Sequence, residues 1–283
     1  MYAICPYSVV PIRKGAAHSS EMQSQLLFGE IVQILETRSR QWRRVRCLHD
    51  QDVGWVAYEQ LLPITEADYL KQQEHFSFSL ELVQPAVGTQ HYLPLTMGAR
   101  LPQFDGLRFK LSEQYYTFSG QAVDVGLLTF RPDLVTKIAR RYLYAPYLWG
   151  GRSPLGIDAG GLVQMVYAIC GKALPRTPIM QLEYGEVVDF VEQTRTGDLA
   201  FFENRAGRVT HVGIMLEYPY LIHAHGCVRI DQLDHFGIYN EDTRRYTHRL
   251  RVVKRLFEYD KPKKTGWKKD DGKQTKRQIN LFE

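Results

Sequence analysis

The sequence has few cysteines and no long apolar run. Cys5, Cys47, Cys170 and Cys227 are scattered through 283 residues with no C-x-x-C pair, which argues against a disulfide framework or a thiolate zinc site; they read as buried thiols. No segment reaches the eighteen or so consecutive apolar residues that span a bilayer, so no membrane partner is expected. The first residues, MYAICPYSVVPIRKG, lack a basic n-region and a sustained apolar stretch. No signal peptide is therefore expected, and the cytoplasm is the expected location. Excess charge of one sign is confined to the end of the chain, where residues 261–283 hold eight Lys or Arg against three acids and account for the whole net charge of +5. The remaining body has no general claim on nucleic acid.

What is present is an ordinary globular composition, 44% hydrophobic and 24% charged, long enough for two or three domains. The first sixty residues alternate Val, Ile, Leu and aromatics with polar residues in short runs separated by Gly and Asp turns. That pattern predicts a small antiparallel barrel over 1–64, and its FGE turn, W-x-x-V strand and GWV segment resemble a bacterial SH3 module. TEADYLKQQ predicts a short helix capped by Thr65. A second set of strand-like runs follows, giving a second SH3-like β domain over 65–130. The period then changes: Leu134, Ile138, Ala139 and Tyr142 recur at helical spacing and predict a helix from about Asp133 to Leu143. Helices followed by the strand-like GDLAFFEN, THVGIMLE, YLIHAHG and RLRVVKRL give an α+β domain over 131–260, and 261–283 is expected to be a disordered basic tail.

GGRSPLGIDAGGLVQMVYAIC, residues 150–170, predicts a loop running into a buried helix that starts just after Asp158. Unpaired N–H groups and the helix dipole make such a start a place where an anion is stabilised. Many hydrolases put a nucleophile there. Here the position holds Ala159.

PYLWGG (146–151), Ser153-Pro154, Gly156, then D-x-G-G-L-V-Q from Asp158, followed in order by LPRT (174–177), TGDLAFF (196–202), THVGIML (210–216) and YLIHAHG (220–226), resemble the signature of the NlpC/P60 cysteine peptidases over residues 131–256. With SH3-like modules in front, the layout is similar to that of cytoplasmic γ-D-glutamyl-L-diamino acid endopeptidases, which trim cell-wall peptides. The resemblance implies a papain-like fold and a murein-peptide substrate. It also implies a thiol at position 159, His211 as general base and His223 as its orienting partner. Adjacent antiparallel strands can bring two such imidazoles to a helix start. Family members carry cysteine and then a small residue, usually serine, where this chain has Ala159 and Gly160, so the chain as written is expected to form no acyl-enzyme. Cys170, about 16 Å along the same helix, and Cys227, about 13 Å past His223 along a strand, offer no substitute. A substitution made to trap substrate and a natural binding-only scaffold both fit Ala159.

The substrate-binding candidates are Tyr147, facing the cleft by resemblance, Asp158, Gly160, and on the SH3-like module Glu21 and Tyr58. Asp158 is expected to cap the helix and also to hold the ammonium of a peptide with a free N-terminal L-Ala, with Glu21 and Tyr58 assisting. Trp149 reads as a core aromatic. Gly160 and Pro178 depart from the serines usual near a peptide-reading site and imply altered recognition. His223 and His225 share a strand face and, with His211 and Asp158, could supply a metal site; the neighbouring motifs need no metal, and no metal or cofactor is expected. QINLF (278–282) resembles the peptide that bacterial replication proteins insert into the sliding clamp, although a lysine-rich solvated tail is the default reading of so short a match. The functions that follow are an endopeptidase scaffold lacking its nucleophile, a muropeptide-binding pseudoenzyme, and an interaction adaptor acting through the tail.

Overall fold

The computed structural model describes residues 1–257 apart from 125, 127 and 129. The basic tail and its QINLF segment lie outside the described residues.

Seven strands, β1 (Tyr2–Ile4), β2 (Val9–Arg13), β3 (Met22–Leu27), β4 (Ile31–Arg38), β5 (Trp42–Cys47), β6 (Val53–Ala57) and β7 (Leu62–Ile64), form one antiparallel sheet in the order β3-β2-β6-β5-β4-β1-β7. Alternation places Ala3, Val10, Ile12, Val32, Val45 and Val56 on its inner face, as period-two patterning requires. Helix α1 (Glu66–Glu74) follows, capped by Thr65. Its Oγ1 accepts from Asp68 N at 3.1 Å while Asp68 Oδ2 accepts from Thr65 N at 3.4 Å, a reciprocal box that satisfies two end donors.

Strands β8 (Phe76–Ser79), β9 (Val83–Val87), β10 (Tyr92–Thr96), β11 (Arg100–Pro102), β12 (Arg108–Leu111), β13 (Gln114–Thr117) and β14 (Ala122–Asp124) make two small sheets, β10-β9-β13-β12 and β11-β8-β14. They share a core built on Leu95, Leu101, Phe109 and Phe118 that also takes in Ile4 and Ile31 from the first sheet and Phe28 from its β3–β4 turn. The two N-terminal units are thus packed together through continuous apolar contact.

Helix α2 (Pro132–Arg141) starts on a proline, whose fixed φ suits a first turn. It stops two residues short of the predicted end, and Tyr144 then takes a left-handed φ of 66° that no helix continues through. A hairpin, β15 (Arg152–Ser153) and β16 (Gly156–Ile157), leads into α3 (Ala159–Ile169), then α4 (Pro178–Gln181). Strands β17 (Glu186–Val188), β18 (Leu199–Glu203), β19 (Val209–Met215), β20 (Tyr220–His225), β21 (Cys227–Leu233), β22 (Gly237–Asn240) and β23 (Arg245–Arg255) complete the domain. Their sheet runs β17-β23-β18-β19-β20-β21-β22, and β22 also pairs with β23, so the sheet closes on itself. Helix α3 is buried between α2 and this sheet. Leu162, Val163, Val166 and Ile169 meet Val135 and Ile138 on one side and Phe201, Val212, Ile214 and Ile222 on the other. No helix among the described residues is long and apolar enough to cross a membrane.

Arg152, 1% exposed, joins the first sheet to the last domain. Its guanidinium donates to both oxygens of Glu30 (2.7 and 2.9 Å), to Gln164 Oε1 (2.6 Å) and to the Gln25 carbonyl (2.6 Å). Burial alone would raise the Glu30 carboxyl, but the charge of Arg152, aided by His49, holds it down at about 2. The hairpin before α3 is in this way fixed against strand β3.

Candidate active site

Asp158 is the N-cap of α3. Oδ1 accepts from Gly161 N (2.7 Å) and Arg176 (2.8 Å), and Oδ2 accepts from Gly150 N (2.9 Å) and Arg176 (2.6 Å). A carboxylate has about four acceptor sites, so the expected free carboxylate for a substrate ammonium is already matched from within. Arg176 also donates to Ser24 on β3 at 3.1 Å, which ties the helix start to the N-terminal sheet.

Ala159 occupies the first position of α3 and is 5% exposed. Its N–H is one of the four that a helix cannot satisfy internally, the kind of group that can donate to a developing oxyanion. Gly160 is held tightly: a Cβ built there lies 2.6 Å from the Arg176 carbonyl oxygen and 3.0 Å from Pro178 Cδ. The backbone and Pro178 fill the space that a serine would need.

Strands β19 and β20 pack on α3 and pair antiparallel, Gly213 opposite His223. They bring His211 and His223 together, with His211 Nε2 2.9 Å from His223 Nδ1. His223 Nε2 is 2.9 Å from Asp231 Oδ2, and Asp231 accepts two bonds from Arg229 at 2.8 Å each. Burial would raise the Asp231 carboxyl, but hydrogen bonds from His223 and Arg229 pull it below the usual carboxylate range. An ionised carboxylate only accepts. His223 therefore carries its proton on Nε2 and offers Nδ1 as an acceptor, so His211 donates from Nε2. The remaining nitrogen, His211 Nδ1, is left with a lone pair, the state a general base needs. Burial, with neighbouring imidazoles, pushes His211 well below the ordinary histidine range. Burial also lowers His223, partly offset by Asp231. Both rings are neutral near pH 7.

Three participants escaped the sequence reading. Asp231 and Arg229 lie on β21, where Arg229 stands opposite His223 and Asp231 is its diagonal neighbour; the visible signal was an R-x-D pair alternating with Val228 and Ile230. His248 is brought in from β23 by sheet closure and stacks on His211, ring centroids 4.0 Å apart at 23°.

Nitrogens of His211, His223 and His248 lie within 4.8 Å of one another, a different set from the His211, His223, His225 and Asp158 that the sequence offered as a competing metal reading. An imidazole lone pair lies in its ring plane, and rings stacked face to face as His211 and His248 are cannot both point at one ion. Asp158 is occupied elsewhere, and the arrangement does not fit a metal.

Tyr147 is 40% exposed, and burial, with the nearby Asp158 charge, raises its hydroxyl. Trp149, expected in the core, is 59% exposed and donates from Nε1 to Glu21 Oε1 at 2.9 Å. The indole N–H requires a partner, and the carboxylate across the domain boundary supplies it. Glu21 is thus joined to the loop before β15, with Lys14 3.7 Å away. Tyr58 stands apart under the Arg43 guanidinium, 3.8 Å from its ring centroid. Burial pushes the thiols of Cys5, Cys47 and Cys170 up, while Cys227 is only half-buried.

Residues 144–271 match the NlpC/P60 family and residues 12–61 the bacterial dipeptidyl-peptidase Sh3 domain. The chain is 25% identical over 236 residues to Dipeptidyl-peptidase 6 of Lysinibacillus sphaericus, covering 72% of this chain and 80% of that one. It is 27% identical over 234 residues to a gamma-D-glutamyl-L-lysine dipeptidyl-peptidase of Bacillus cereus, covering 73% and 68%. Bifunctional muramidase/DL-endopeptidase CwlT of Bacillus subtilis is 43% identical over 88 residues, 29% of this chain and 26% of that one. In fold, the chain is similar to the crystal structure of an NlpC/P60 family protein from Bacillus cereus, with a TM-score of 0.78 at 18% identity over 90% of this chain and 99% of that one. The chain carries an NlpC/P60-family domain behind a bacterial SH3 domain.

Proposed function

We propose that this chain is a γ-D-glutamyl-L-diamino acid endopeptidase scaffold of murein peptide turnover that binds its peptide and does not cleave it, because Ala159 stands where the thiol is needed. The observation that carries the reading is the hydrogen-bonded relay from Asp231 through His223 to His211, on strands that pack against α3, whose first residue, Ala159, holds only a methyl group. The names of relatives that act on γ-D-glutamyl-L-lysine support the substrate class. On this reading 1–64 and 65–130 are two SH3-like barrels, 131–260 is a papain-like unit, and the basic tail from 261 is separate.

With Asp158 matched by Arg176, Glu21 takes over the ammonium of a free N-terminal L-Ala, and Tyr147 lies beside the scissile carbonyl. The tight packing of Gly160 against Arg176 and Pro178 favours a settled binding role. Calorimetry with L-Ala-γ-D-Glu-L-Lys, paired with chromatography of the same mixture, tests the proposal. Binding without product is expected. Absence of binding, or product above the no-protein control, contradicts it.

A further inference from the structure

His211 is enclosed on more sides than a general base requires. Phe202 of β18 lies 5.8 Å from it at 53°, His223 of β20 meets it edge-on at 5.1 Å and 86°, and His248 of β23 covers a face at 4.0 Å and 23°. His248 is itself fixed. Its Nδ1 lies 2.9 Å from Thr247 Oγ1, Phe202 stands 6.0 Å away at 65°, and the exposed His225 meets it edge-on at 4.9 Å and 89°.

The relay sets where protons sit on His211 but does not set the ring's rotation. A single hydrogen bond through Nε2 leaves the imidazole free to swing about that contact, and Nδ1 would then have no fixed direction. A second planar ring stacked on its face removes that freedom. We infer that His248 is a positioning residue, whose ring, acting as a flat neutral wall, holds His211 in the orientation that points Nδ1 at the α3 start. This rests on reading His211 as the base of the proposed site.

Neutrality of the wall matters when the base takes a proton. A neutral ring on its face adds no charge repulsion to a His211 imidazolium, whereas two stacked cations repel. Burial, reinforced by His223 and His225 and only partly opposed by Asp231, pushes His248 down to about 3, so it stays uncharged throughout the working range. Asp231 and its partner Arg229 bond on the Nε2 side of His223, away from the Nδ1 that meets His211, and the exposed His225 lies against His248.

The test uses the chain as it stands, so it does not depend on catalysis or substrate. Nitrogen-15 spectra of the histidine rings report the tautomer and titration of His211 in the parent, His248→Phe, His248→Gln and His248→Ala. The parent is expected to show one tautomer, Nε2-protonated, titrating well below pH 6.5. His248→Phe keeps the ring and is expected to preserve both features. His248→Gln and His248→Ala remove the wall and admit water, so His211 is expected to show mixed tautomers and to titrate about one unit higher or more, a tenfold change in proton affinity. If Ala unfolds the protein, Gln still makes the comparison with Phe. A Phe variant that behaves like Gln, or a Gln variant that leaves His211 unchanged, overturns the inference. Failure of the peptide-binding reading would show up separately, in calorimetry with these spectra unaltered.

Discussion

His223 Nε2 lies 2.9 Å from Asp231 Oδ2, and that contact fixes the proton on every nitrogen between the carboxylate and the helix start. Asp231→Asn removes the obligatory acceptor and allows the amide to donate, which reverses the tautomer of His223 and then of His211. In an Ala159→Cys background, where turnover can be read, this substitution is expected to lower kcat about 10²- to 10⁴-fold, the range for loss of a positioned acid–base group. Circular dichroism and a peptide-cleavage assay on the paired variants check that the loss is not unfolding.

The Arg152–Glu30 pair predicts where stability is sensitive. Both side chains are 1% exposed, so Glu30→Gln leaves a buried guanidinium short of its counter-charge and is expected to cost about 3–5 kcal/mol in urea unfolding at pH 7. Glu30 titrates near 2 in the fold against 4.5 for the free side chain. A lowered carboxylate stabilises the fold fully above the unfolded value and loses that contribution as pH falls through the folded one. The gap between parent and variant should therefore narrow between pH 4.5 and 2.

Gly160 is expected to resist reversion to the family's serine. A Cβ at that position sits 2.6 Å from a backbone oxygen, so Gly160→Ser should destabilise by about 1–3 kcal/mol through overpacking. Pro178→Ser relieves only the 3.0 Å contact and should recover part of the loss, as thermal unfolding of the single and double variants would show.

Selectivity for a free N-terminus should reside in Glu21. Glu21→Gln is expected to narrow the affinity ratio between L-Ala-γ-D-Glu-L-Lys and its N-acetylated form by a few-fold, in keeping with about 1 kcal/mol or less for a solvent-exposed ion pair. Calorimetry with both peptides, on parent and variant, gives the ratio directly.

Period and caps made much of the fold legible. Thr65 and Asp158 mark helix starts because a short polar side chain there satisfies end N–H groups, and the paired histidines follow from two adjacent strands. Charge partners across domains were not legible. Arg152, Arg176 and Glu30 carry no local signal of a buried partner until the N-terminal sheet and the hairpin before α3 are placed together, and no local spacing encodes that docking. His248 was missed for a related reason, because its closeness to His211 depends on β23 closing the sheet. Trp149 was misread because apolar character outweighed the need of its N–H for a partner.

Ala159→Cys, assayed beside the parent and the Ala159→Cys/His211→Ala double variant, measures the central claim. The new thiol would sit at a helix start beside an unprotonated Nδ1, conditions that lower a thiol from about 8.5 toward neutrality. The expected result is rapid iodoacetamide labelling at position 159 and cleavage of the γ-D-Glu-L-Lys bond by Ala159→Cys alone, with none by the parent or the double variant. Cleavage by the parent, or a folded Ala159→Cys protein that neither labels nor cleaves, would contradict it.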